Sequence, residues 1–163
     1  MGYVRAALAY LERYGGPRAR IERTLARRAG RKGLEADAAQ AIVAEAMARL
    51  DRMEVVDDGA FAAGKAQALR RRGASRRAAL MKLRATGVDP DLAGQALAAL
   101  DAASDAPERD AARRYAQRRR LGPWRPDPNE RAARRDRDIA ALARQGFPVG
   151  LAIDVIDGRD DAS

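Results

Sequence analysis

The side chains with the most chemistry to offer in this sequence are arginines, and they are clustered. Arg70, Arg71 and Arg72 are followed by Arg76 and Arg77, then by Arg118, Arg119 and Arg120, and finally by Arg134 and Arg135. A guanidinium presents a planar fork of N–H donors that matches carboxylate and phosphate oxygens, so these clusters point to recognition of an acidic partner. The catalytic alternatives are few. The 163-residue chain has no Cys and no His, which removes thiol nucleophiles, disulfides, Cys/His zinc sites and imidazole acid–base chemistry together. The adjacent acids Asp57 and Asp58 could in principle hold a metal ion, but at a helix start the dipole already favours carboxylates, and that is the simpler reading. The expectation is a protein with no cofactor, no metal and no enzymatic activity.

Charge is partitioned along the chain. The formal net charge is +9 and the pI is near 10.8, which implies an acidic partner: nucleic acid, an acidic protein surface or anionic lipid. Residues 1–34 carry a net +7, 35–61 −5, 62–87 +8, 88–112 −5, 113–147 +7 and 148–163 −3. If like segments stack, the arginine-rich ones form one basic ridge suited to a long acidic groove. The alternative is that neighbouring blocks neutralise one another through exposed pairs of little individual worth. A membrane surface is disfavoured, because the basic residues are not set opposite one bulky apolar face. No apolar run approaches the roughly 18 residues of a bilayer span, and the patch from Ala6 to Leu11 is too short for a secretory segment. A soluble, cytoplasmic protein with no membrane partner is expected.

The elements that must carry these side chains are helices, and an internal repeat specifies them. Leu80, Leu83, Gly87, Val88, Leu92 and Leu97 recur 59 residues later as Ile139, Leu142, Gly146, Phe147, Leu151 and Ile156, so every apolar or glycine requirement is met twice. A helix that closes on a left-handed residue favours glycine there, and the next residue folds back toward the helix. That pairs Val88 with Leu83 and Phe147 with Leu142. Asp89 and Pro90 then restart a helix as cap and first residue, as do Asp127 and Pro128, with Glu130 at the third position. Asp57 and Asp58 open the helix that Phe61 anchors, Ser75 caps the next, and Trp124 lids a local core.

The fold class expected is therefore all-α, with tandem three-helix repeats. The repeats span residues 1–53, 54–104 and 105–157, and 158–163 form a polar tail that frays. Large core side chains are scarce, since aromatics make up only 4% of the chain, and that suits several small helical clusters better than one thick core.

Taken together, Val55 through Ala62, Arg76 and Arg77 with Leu80, Leu83, Gly87 and Val88, the Leu121–Arg125 loop and the closing run from Leu142 to Pro148 resemble the RecX regulatory family. The likeness runs roughly from Ala6 to Ile156, and Arg118–Arg120 before Leu121 resembles its alphaproteobacterial branch in particular. The resemblance implies an elongated, curved monomer that lodges in the helical groove of the RecA–DNA filament and modulates recombinase, ATPase and co-protease activity. The motif residues Asp57, Asp58, Phe61, Leu83, Gly87, Val88, Leu142, Gly146 and Phe147 are better explained as fold determinants than as contact residues. Two features depart from the pattern. The first repeat lacks the glycine-plus-hydrophobe turn at the expected place, and the third has no counterpart of the Asp-Asp-x-x-Phe start. The rival reading is a direct, sequence-nonspecific binder of single- or double-stranded DNA, because the helix pairs resemble helix-turn-helix units.

Overall fold

A computed structural model describes residues 2–159, and among them the regular structure is entirely helical. The helices are α1 (Gly2–Tyr14), α2 (Arg18–Arg31), α3 (Ala36–Arg52), α4 (Asp58–Arg71), α5 (Arg76–Thr86), α6 (Pro90–Asp101), α7 (Pro107–Arg119), α8 (Pro128–Arg144) and α9 (Val149–Asp157), with a 3₁₀ turn at Gly122–Trp124 between α7 and α8. Each successive trio of helices encloses its own small core. Ile21, Leu25, Met47 and Leu50 fill the first, Leu69, Leu83, Val88 and Leu97 the second, and Leu142, Phe147, Val155 and Ile156 the third. Alanine does much of the close packing: Ala62, Ala66, Ala79 and Ala93 are fully buried in the second trio, and Ala111, Ala112, Ala116 and Ala152 in the third. Such small residues let helix axes approach, at the expense of apolar area per trio.

The six positions that recur at a spacing of 59 occupy matching environments. Leu83 and Leu142 are fully buried, Val88 and Phe147 nearly so, and Gly87 and Gly146 take φ of 98° and 92°. After each glycine the amide folds back as expected, Val88 N–H to Leu83 O and Phe147 N–H to Leu142 O, both at 3.3 Å. The first trio also contains this closure, though not at the place the repeat predicts. It lies one turn later, where Gly33 is left-handed and Leu34 N–H reaches Ala29 O. Gly30, three residues earlier, is still within α2. The additional residues of that trio lengthen its helices: α2 and α3 have 14 and 17 residues, α5 and α6 have 11 and 12.

Helix starts follow local capping chemistry. Asp57 accepts from Ala60 N–H, Ser75 from Ala78 N–H, Asp89 from Asp91 and Leu92 N–H, and Asp127 from Asn129 N–H; each cap satisfies amides that have no intrahelical partner. Phe61 and Trp124 are half-buried against the second and third cores. Of the polar tail, Gly158 closes α9 and Arg159 pairs with Asp154 and Asp157, while 160–163 lie outside the described residues. The trios follow one another in a row, and the accessible surface of 10262 Å² exceeds the roughly 7,900 Å² expected of a compact monomer of this mass. The molecule is elongated.

Candidate partner-binding surface

The joints between trios decide which arginines reach the surface, and the two joints are built alike. At the first, the backbone N–H of Arg18, which opens α2, donates to Asp58 at the start of α4 (2.7 Å), while the Arg18 side chain pairs with Asp51 at the end of α3. At the second, the backbone N–H of Arg76, which opens α5, donates to Glu108 at the start of α7 (3.1 Å), while the Arg76 side chain pairs with Asp101 at the end of α6 (3.1 Å). In both, an acid from the following trio caps a helix of the preceding one, where the dipole favours it. The glycine turns dock there as well. A Cβ on Gly87 would meet Arg23 and Ala19 of α2, and one on Gly146 would meet Ser75 and Arg77; Ser75 also donates to Gln145 O at 2.6 Å. The Asp57–Asp58 pair thus divides its labour between a helix cap and a joint.

The second joint holds one more arginine. Arg70, expected at the surface with Arg71 and Arg72, is 4% exposed. Its Nη1 donates to Ala74 O (2.9 Å) and to Glu108 (2.8 Å), and its Nε donates to Asp101 (3.0 Å). Arg70 therefore belongs to the joint, because it continues the inward stripe of Ala62 and Ala66 at a spacing of four. Arg135 is also engaged, in a two-pronged pair with Asp157 (2.6 and 2.8 Å), which holds the Asp157 carboxyl below its ordinary range.

The other seven arginines of the expected ridge have no ion pair among the described residues. Arg71, Arg72, Arg77, Arg118, Arg119 and Arg120 are exposed and Arg134 is half-buried. Gly73 sits so tightly on α7 that its missing Cβ would lie 2.5 Å from Tyr115 N. That close approach sets the end of α4, Arg71 with Arg72 as its C-cap, near α7, on which the Arg118 guanidinium covers the Tyr115 ring at 5.7 Å. Arg77 lies against the Gly146 turn. Arg134 stands apart from these, within the field of Asp138.

Asp138 is a site that the sequence reading missed. It is 2% exposed and holds the loop after α7 in place. Its Oδ2 accepts from Gly122 N–H (2.9 Å) and Arg125 Nε (2.8 Å), and its Oδ1 from Arg125 Nη2 (2.7 Å). The signal was there in its spacing, because an acid four residues before Leu142 falls on the core-facing stripe of α8. Burial on its own would raise the Asp138 pKa. The Arg125 and Gly122 hydrogen bonds and the charges of Arg125 and Arg134 outweigh it and bring the value below the ordinary 3.8.

A lowered carboxyl pKa contributes stability above the unfolded value and loses it as pH falls through the folded one. The third trio should therefore loosen only below about pH 4, as read by the fluorescence of Trp124, the one tryptophan in the chain. Asp138→Asn should loosen this loop at neutral pH, at a cost of about 2 kcal/mol, and flatten the acid response. Identical acid profiles for the two proteins would refute that role.

Among the described residues no three carboxylates gather where they could hold a metal ion, and no helix is long and apolar enough to cross a membrane.

Comparison with known proteins sharpens the picture. The chain is 42% identical to the regulatory protein RecX of Myxococcus xanthus over 158 residues, which cover 94% of this chain and 83% of that protein. It is 34% identical over 140 residues to the proteins of the same name from Mycobacterium ulcerans and Amycolatopsis mediterranei, covering 85% of this chain and 76% and 74% of theirs. These organisms are a myxobacterium and actinobacteria, so the likeness of Arg118–Arg120 to an alphaproteobacterial branch finds no support in them. No protein-family model matches the chain, and no solved structure does. With its tandem helical trios and a 42% identity spanning nearly its whole length, the chain belongs to the RecX family of regulatory proteins.

Proposed function

We propose that this protein regulates the RecA recombinase by lying along the RecA–DNA filament, touching successive protomers and so opposing strand exchange, ATP hydrolysis and co-protease activity. The observation that carries the reading is the relationship to proteins named regulatory protein RecX. In it each helix trio acts as one repeat, residues 1–53, 54–104 and 105–157, and a monomer suffices. Linked trios gain avidity, because once one is bound the second and third contacts become intramolecular. Holding neighbouring protomers in one arrangement then opposes their cycling. The unpaired arginines supply contact, with Arg71, Arg72, Arg77 and Arg118 around the second joint as its centre.

The test is a pull-down with RecA filaments, with and without single-stranded DNA, together with the variant Arg71→Glu/Arg72→Glu. Arg70 is left out of it because reversing a buried charge would unfold the joint. The double variant should keep native circular dichroism and need at least about tenfold more protein to inhibit RecA ATPase, consistent with loss of two charge-assisted contacts. Undiminished inhibition would remove this surface from the interface. Direct binding to DNA is the competing reading, favoured by the same unpaired arginines. Tight binding to bare DNA that falls steeply with salt would support it, through counterion release.

A further inference from the structure

Beside the second joint lies a groove of about 750 Å³ between α5 and the turn that enters α9. Arg77, Met81 and Arg84 fall on one face of α5, at spacings of four and three, and all three line it. Met81 is 65% exposed, the highest value for a large apolar side chain among the described residues. Leu80 and Pro148 add apolar wall, and Val149, next to Pro148, is 58% exposed. A bare methionine, valine and proline surface is adaptable and unfavourable in water. Arg77 and Arg84 above it have no ion pair among the described residues. Asp101 and Glu108 also line the groove, but Arg70 and Arg76 already engage them. The free charge presented there is therefore positive.

We propose that this groove docks an acidic, amphipathic peptide segment of a protein partner. Its apolar side chains would cover Met81, Pro148 and Val149, and its carboxylates would pair with Arg77 and Arg84. A nucleic-acid strand fits less well, because its phosphates need cations along the whole track and gain nothing from an apolar floor. The proposal deepens the reading above, and rests on it for the identity of the partner as the recombinase.

The test uses the full chain and a fluorescein-labelled peptide with leucine and phenylalanine four residues apart, flanked by aspartates, read by anisotropy. Met81→Ser and Arg84→Glu should each weaken peptide binding about tenfold or more, the loss expected for one anchoring side chain, whereas Arg5→Glu, exposed on α1 and outside the groove, should leave it unchanged. Three results would overturn the proposal: no peptide binding, equal binding of a hexaglutamate lacking apolar residues, or displacement of the peptide by a thymidine oligonucleotide. Sedimentation at the same concentrations separates self-association, since a dimer abolished by Met81→Ser would assign the groove to a second copy instead. A parallel pull-down with RecA filaments distinguishes the two readings. If the wild type does not bind filaments, the recombinase reading fails while the peptide result still decides the groove. If wild type and Met81→Ser bind filaments equally, the groove is not where the recombinase docks.

Discussion

Replacing Gly73 by alanine is expected to cost about 3 kcal/mol or more and to loosen α7 from α4. Two causes add. Gly73 has φ +77°, where an L side chain costs roughly 1–2 kcal/mol. Its new Cβ would also stand 2.5 Å from Tyr115 N and 2.8 Å from Ala111 O, and backbone atoms inside a helix cannot retreat without moving the trio, an overpacking cost of about 1–3 kcal/mol. Gly15 supplies the control. It precedes Gly73 by the 58 residues that separate Arg18 from Arg76, has φ +60° and meets nothing within 4 Å. Gly15→Ala should show the backbone cost alone. Urea unfolding gives both numbers, and amide exchange should place the loss in α4 and α7. Equal costs for the two glycines would mean that the second joint tolerates displacement.

Arg70→Met is expected to cost about 3–4 kcal/mol, the range for breaking one partner out of a buried ion pair. The loss comes chiefly from what remains. Asp101 and Glu108, with side chains 13% and 29% exposed, would keep their charges without the guanidinium that spans them, and Ala74 O would lose its donor. Arg70→Lys should recover only part, since one ammonium cannot fork between two carboxylates and a carbonyl. Thermal unfolding of the three proteins provides the comparison, and a methionine variant as stable as wild type would refute the assignment. Arg71→Met, one residue on and solvent-exposed, should change stability by less than about 0.5 kcal/mol. The first joint has no such arginine, because the corresponding position holds the exposed Glu12. Its ion pair is the half-exposed Arg18–Asp51 contact, so the second joint is the firmer of the two.

These pairs show where local information ends. The glycine closures, the aspartate and serine caps and the apolar stripe of each trio all arise within a few residues of one another, so their energetics are written in short spans of sequence and were legible there. The closure at Gly33 lies away from the place the repeat predicts because the helices of that trio are longer. Three consecutive arginines, by contrast, read alike from 70 to 72. Which of them is buried depends on carboxylates 31 and 38 residues away, delivered by the docking of one trio on the next. The same holds for Asp138, whose burial matters only once a loop 13 to 16 residues upstream folds onto it. Sequence alone determined the helices and their ends, because hydrogen bonds and side-chain periodicity act locally. The tertiary structure alone decided which charges hold the joints together and which remain free to meet a partner, because burial belongs to the packed surfaces and not to the residue.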